Sequence, residues 1–356
     1  FDADIFDYTI TVPNSVTSLT VTGTKADDNA MMTPADGKLE FTNLSVGTSG
    51  EQTITVTSED GKTTQEYKVK VVKLPSNDAT LSDLTTTEGS LNPEFNAATL
   101  EYTVTVPYET TSLTVSGTPS HTKATMDPSD GNLLFENLSV GTSDEKTITV
   151  IAEDGITTEE YKVKVYRQSN DATLSDLTTD KGSLSPVFSP TTTSYTVTVA
   201  NSVKELTVTG TKSDANATMN PNEGKLEFTS LSVGTSDEQT ITVTSEDGKT
   251  TQEYKVKVVK LPSNDATLSD LTTTEGSLNP EFDAATLEYT ITVPYETTSL
   301  TVTGTKADDN ATMDPPDGNL LFENLSVGTS DEKTIKVTAE DGTEKTYTIT
   351  VTKLPY

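Results

Sequence analysis

The chain has no cysteine and no tryptophan, one histidine, and few cations: 24 Lys and Arg against 55 Asp and Glu, a formal net charge of −31. Each shortage removes a class of chemistry. Without cysteine there is no disulfide, no thiol nucleophile and no thiolate metal site. The lone His121 lies in a loop where the other repeats carry Asp27, Asp214 and Asp308. A Ser-His-Asp triad needs a buried, oriented imidazole, so no enzyme activity is expected. Phosphate backbones are held by clustered Lys and Arg, so nucleic acid is excluded as an expected partner. Anionic membrane surfaces are disfavoured for the same reason. No apolar run approaches the roughly 20 residues that span a bilayer, so no membrane insertion is expected. Apolar residues make up only 32 %. Their regular alternation with polar residues still suits strands, where only every second side chain is buried.

What is present is repetition. Ser-Asn-Asp-Ala-Thr-Leu-Ser-Asp-Leu begins at Ser76, Ser169 and Ser263, giving periods of 169 − 76 = 93 and 263 − 169 = 94 residues. A unit of this size is long enough to bury its own core, so each is expected to be a separate domain. The expected domains are 1–75, 76–168, 169–262 and 263–356. Phe1 matches Phe95, Phe188 and Phe282, and 95 − 76 = 19 residues precede that Phe in the second unit. The first unit therefore lacks its first strand. The first reading of this is a window on a longer array; the second is a vacant sheet edge completed by a strand from another molecule. A longer period is also visible. Leu44–Phe95 recurs as Leu231–Phe282 with one change, Gly50 against Asp237.

In the last unit, alternation predicts strands over Ala266–Leu271, Leu287–Val293, Ser299–Thr305, Asn319–Leu325, Lys333–Ala339 and Lys345–Lys353, with an edge segment after Gly276. In Asn319–Leu325 apolar residues fall on both parities, Leu321 and Leu325 on one, Leu320 and Phe322 on the other. Glu-Asp-Gly at 59–61, 153–155, 246–248 and 340–342 joins the last two strands of each unit as a tight hairpin with positive φ. No segment carries a 3.6-residue apolar stripe. About seven short strands per unit fit a two-sheet Greek-key sandwich of immunoglobulin type.

Leu268-Ser-Asp-Leu271, Gly276-Ser-Leu-Asn-Pro-Glu-Phe282, Tyr289-Thr-Ile-Thr-Val-Pro294, Leu325-Ser-Val-Gly328, Glu340-Asp-Gly342 and Tyr347-Thr-Ile-Thr-Val351 follow one another in that order. This succession resembles the bacterial cadherin-like β-sandwich family over the whole chain. The resemblance implies an all-β tandem array of immunoglobulin-like or cadherin-like seven-stranded sandwiches, a place at the cell surface or outside the cell, a spacer role, and no catalysis. The absence of a disulfide pin agrees with a bacterial source.

Calcium is the main chemical alternative, because it takes six to eight oxygens, several from carboxylates. Asp78, Asp171 and Asp265 at the joints superficially match the junction ligands of true cadherins, although the fuller acidic motifs of those proteins are missing. No other cofactor is expected. Tyr108 and Tyr295, in Val-Pro-Tyr-Glu-Thr-Thr, are candidate glycan-stacking residues. Leu-Pro at 74–75, 261–262 and 354–355 lacks the residues of a sorting signal and is read as a joint. Lys255 and Lys257 fall on the solvent parity, against an internal Lys–Asn cross-link. Asn43, Asn137, Asn216, Asn310 and Asn324 begin Asn-x-Ser/Thr triplets that chance supplies in a Ser- and Thr-rich chain.

The joints are short, and a proline stiffens two of them. Units are expected to stack end to end, on the order of 120 to 160 Å for four at the strand rise per residue. The expected function is a stalk or spacer of a bacterial cell-surface or secreted protein, extending an adhesive or catalytic head. The alternatives are a strand-exchanging filament or matrix subunit, and weak glycan- or calcium-binding modules. Expected partners are the neighbouring domains and other copies of the chain.

Overall fold

The structure is a computed structural model that describes every residue from Phe1 to Tyr356, with 33 strands and no helix. The chain divides into two compact halves, Phe1–Ser169 and Asn170–Tyr356. Each half contains two separate hydrophobic cores. In the first half these run from Val12 to Val71 and from Ala79 to Val165. In the second they run from Leu174 to Val258 and from Ala266 to Val351.

The second unit illustrates the plan. Thr158–Arg167 is the hub of one sheet. It pairs parallel with Glu101–Val106 and antiparallel with Lys146–Ile151 and Gly141–Thr142. Ser90–Asn92 and Thr125–Asp127 extend the two sides. The facing sheet has Leu113–Pro119 between Asn132–Phe135 and Leu81–Thr86. Alternation dictates which side faces inward. Tyr161, Val163 and Val165 are fully buried, while Lys164 between them is exposed.

Leu81 and Leu84 are both buried although three residues apart. A bulge makes this possible: the register against Leu113–Pro119 shifts at Thr118/Pro119, so one extra residue re-aims the chain. Leu174–Leu177 and Leu268–Leu271 repeat the bulge. The motif Leu-Ser-Asp-Leu is therefore the signature of a bulged strand. Opposite it, a Cβ at Gly117 would lie 3.0 Å from Ile148 Cδ1 and 3.1 Å from each Leu81 Cδ, so only glycine lets the sheets approach this closely.

Buried tyrosines tie the layers together. Tyr161 Oη accepts Leu81 N–H (3.1 Å) and donates to Ala97 C=O (2.7 Å). Tyr254 and Tyr347 do the same with Leu174 and Pro190, and with Leu268 and Ala284. Burying a hydroxyl is tolerable only when it is hydrogen-bonded, and here both its roles are used.

Four expectations need adjustment. The first strand of the last unit is Leu268–Thr273, because pairing continues through Thr272 and Thr273 after the apolar pattern ends at Leu271. A short strand, Thr312–Asp314, carries one apolar residue and escaped the alternation test. Of the two parities in 319–325, the core takes Leu320 and Phe322 and leaves Leu321 exposed. The Asp-Gly hairpins are longer than two residues. Ser58 N–H bonds Thr63 C=O across a four-residue loop, and Ala339 bonds Thr343 across three, with Gly61 and Gly342 at φ +66° and +88°.

The first unit differs in its facing sheet, which has only Leu19–Thr22 and Lys38–Phe41.

Candidate functional site

The most repeated polar construction lies where one unit passes into the next. In the first half, Leu74 N–H makes the last bond to Val12 C=O (2.9 Å), and Pro75 has no N–H to continue. Ser76 is then clasped from two sides. Its N–H donates to Glu153 Oε2 (3.0 Å), and Asp154 N–H donates to its C=O (3.0 Å). Lys123 Nζ holds the other carboxylate oxygen at 2.7 Å, and the Glu153 side chain is only 11 % exposed. The Lys123 ammonium and then the Ser76 N–H keep the Glu153 carboxyl below its ordinary pKa. Asn14, in the first unit, bridges both partners: its Nδ2 lies 3.3 Å from Leu74 O and 3.4 Å from Glu153 Oε2.

The second half contains the same device. Leu261 N–H bonds Val199 C=O (2.9 Å), Ser263 N–H bonds Glu340 Oε2 (3.0 Å), and Asp341 N–H bonds Ser263 C=O (2.9 Å). Asn201 Nδ2 reaches Leu261 O at 3.4 Å. The Ser263 hydroxyl keeps the Asp308 carboxyl below its usual range.

Sequence reasoning gave Glu-Asp-Gly only a turn role. The clue to its second role was the glutamate, since a hairpin needs only Asp-Gly, yet Glu precedes it in all four units. A second missed feature is the cation closing the last strand of each of the first three units. Lys73 Nζ donates to Leu44 O (3.1 Å), Arg167 Nη1 to Leu138 O (2.6 Å) and Lys260 Nζ to Leu231 O (3.0 Å). Each satisfies a loop carbonyl at the end of its sandwich.

The calcium candidates are local caps. Asp78 Oδ1 accepts the Thr80 hydroxyl (2.6 Å) and N–H (3.0 Å), and the hydroxyl followed by the N–H holds its pKa low. Asp171 and Asp265 cap Thr173 and Thr267 in the same way. Three or more acidic or imidazole groups nowhere converge on one point. His121 Nδ1 faces Lys123 N–H at 3.4 Å, the place where Asp27, Asp214 and Asp308 cap Asn29, Asn216 and Asn310.

The two glycan candidates part company. The Arg167 guanidinium lies over the Tyr108 ring at 4.4 Å and Arg167 Nε bonds Tyr108 O at 2.7 Å. Tyr295 is exposed, with Tyr356 edge-on at 5.4 Å and Lys353 Nζ 5.5 Å from its ring centre. Asn43, Asn137 and Asn324 sit at φ of 50° to 59°, as does Ser230 in the third unit. Asn tolerates the left-handed region better than most residues, which accounts for its recurrence there. Lys255 and Lys257 pair with Glu238 on the open face, as their parity requires.

The chain belongs to the cadherin-like beta sandwich domain family. The family model matches four times, over residues 1–74, 81–168, 174–261 and 268–354. A protein of Evansella cellulosilytica named "Putative membrane protein" is 33 % identical over 94 residues, which is 25 % of this chain and 14 % of that protein. Among solved structures, PcdhgB3 EC1-4 aligns over 98 % of this chain and 99 % of its own, at 11 % identity and a TM-score of 0.32. Sidekick-1 immunoglobulin domains 1-5 align over 98 % and 79 %, at 9 % identity and a TM-score of 0.30. Both whole-chain superpositions are loose. Family and fold together define a tandem cadherin-like module of the extracellular repeat or adhesion type. No helix is long and apolar enough to cross a membrane.

Proposed function

We propose that the chain is a spacer segment of a bacterial cell-surface or secreted protein, without catalytic activity, whose four domains, 1–75, 76–168, 169–262 and 263–356, hold another domain at a distance. The observation that carries this reading is the paired clasp on the linker serine. Ser76 and Ser263 open their units and each both donates to and accepts from the Glu-Asp-Gly turn of that same unit, and Asn14 of the preceding unit reaches the same Glu153. A linker fixed at its N–H and its C=O loses rotational freedom, which suits a semi-rigid joint. The net charge of −31 adds mutual repulsion, which discourages neighbouring units from folding onto one another.

Small-angle scattering on the whole chain tests this. The expected profile is that of a rod, on the order of 120 to 160 Å long at the strand rise per residue. A compact particle would overturn the reading. Melting with calcium and with chelator is expected to coincide, since a ligand stabilises only by binding the native state and the Asp78, Asp171 and Asp265 oxygens serve as turn caps.

A further inference from the structure

We infer that the outer edge of the smaller sheet in every unit is closed by side-chain caps against strand pairing with a second copy of this chain.

The edge is formed by Lys38–Phe41, Asn132–Phe135, Lys225–Phe228 and Asn319–Glu323 in the four units, each with a strand partner on one side only. Antiparallel pairing sends the N–H and C=O of successive residues alternately to the partner and to the free side. Gly23 N–H bonds Gly37 C=O (2.8 Å), which fixes the phase. Lys38 and Glu40, opposite Thr22 and Thr20, therefore point their backbone polar groups outward. The bonds from Gly117 to Gly131, Gly210 to Gly224 and Gly304 to Gly318, each 2.9 Å, set the same phase in the other units and turn Leu134, Glu227 and Leu321 outward. Such edges, repeated along one chain, are templates for pairing between copies.

The outward groups are occupied. Gln52 Nε2 donates to Glu40 O, and Gln239 Nε2 to Glu227 O, both at 2.9 Å. Lys333 Nζ donates to Leu321 O at 2.6 Å, and Lys146 Nζ donates to Leu134 O. In every case the donor reaches across from a strand of the other sheet. A second cap takes the outward N–H at the start of the edge. Asp36, Asp130 and Asp317 Oδ1 accept Lys38, Asn132 and Asn319 N–H at 3.1 Å. In the third unit Glu223 stands in that place and holds Lys225 Nζ instead (2.8 Å).

The caps alternate with the residues they cover. Where the strand carries Glu40 or Glu227 the cap is a neutral glutamine. Where it carries Leu134 or Leu321, both half-exposed, the cap is a lysine, lying 5.1 and 5.3 Å from the Phe135 and Phe322 ring centres. Each edge thus keeps one charge beside its capped carbonyl, and charge on an edge opposes strand addition. Satisfying the carbonyl alone would not require this exchange. Keeping every edge from being apolar and open at once does.

The test uses the intact chain carrying K146M and K333M, which removes both lysine caps and takes the net charge to −31 − 2 = −33. Repulsion between copies rises, so association of this variant reports the opened edges. Sedimentation velocity across the micromolar-to-millimolar range reads association, and hydrogen exchange by mass spectrometry locates it. The expected result is a monomeric parent and a self-associating variant, in which the Leu134 and Leu321 amides exchange about tenfold more slowly or less. K146Q with K333Q keeps a donor at each carbonyl, as Gln52 and Gln239 do, and should stay monomeric. K162M with K164M removes the same charge from the open face of the hub sheet and should stay monomeric too. A monomeric K146M/K333M chain, equal association of either control, protection away from 132–135 and 319–323, or a parent already protected at those edges would overturn the proposal.

Discussion

Replacing Tyr254 by phenylalanine isolates one polar tie between the two layers of the third sandwich. The ring stays, so the packing around Val256, Val258 and Ile241 is kept. What is lost is the oxygen that accepts Leu174 N–H at 3.1 Å and donates to Pro190 C=O at 2.7 Å. Leu174 and Tyr254 are both 0 % exposed, so water cannot replace the lost acceptor without opening the core. Orphaning a buried donor costs about 1–3 kcal/mol, and the carbonyl loses its partner as well, so about 2–3 kcal/mol is expected. That raises the unit's opening constant about 30- to 150-fold, at 1.4 kcal/mol per decade. Hydrogen exchange by mass spectrometry on the intact chain reads this unit by unit. Core strands such as Thr251–Lys260 should exchange faster by that factor, while Thr158–Arg167 and Glu344–Lys353 keep the wild-type rate. A change under threefold would show that the hydroxyl is not a tie. An equal change in all units would refute separate cores, and with them the independence of the domains.

Glycine substitutions should divide by cause. Gly210→Ala puts a methyl 3.0 Å from Leu174 Cδ1 and Ile241 Cδ1, and overpacking should cost about 1–3 kcal/mol in urea melts, partly recovered by adding Ile241→Val. Gly61→Ala meets nothing within 4 Å but sits at φ +66°, so only the roughly 1–2 kcal/mol of a left-handed non-glycine residue should appear, with no rescue by core changes. The joint should respond to acid. Glu153 has a folded pKa below its ordinary 4.5, so its contribution is complete above pH 4.5 and is lost as the pH falls through the lower, folded value. Glu153→Gln should flatten that part of the pH–stability curve of the first half; an unchanged acid limb would refute the clasp.

Much of this architecture was legible because a strand writes its burial into every second residue. Tyr-Lys-Val-Lys-Val at 254–258 states the inward face of the hub strand without coordinates. The repeat was legible because Ser-Asn-Asp-Ala-Thr-Leu-Ser-Asp-Leu recurs every 93 to 94 residues. The joints were not legible, because Ser76 and Glu153 are 77 residues apart and nothing local to either shows that they meet. The Leu-Ser-Asp-Leu motif was recognisable, yet its three-residue spacing breaks the two-residue period of a strand, and only the bulge explains why both leucines point inward. The first sandwich was half legible: the period shows that residues 1–75 hold fewer strands than the other units, but not how that changes burial among them.

The repeats supply that answer as an internal comparison. Val56 and Val150 occupy equivalent strands, two residues along from Ile54 and Ile148, which pair with Tyr67 and Tyr161. Val150 is 0 % exposed, and Val56 is half-buried. Neither strand contains the difference. It arises from six residues in the other sheet, Leu81–Thr86, whose leucines reach across the sandwich to the strand bearing Ile148. Burial here is a property of the closed pair of layers, so a strand with two leucines decides whether a whole inward face is sealed.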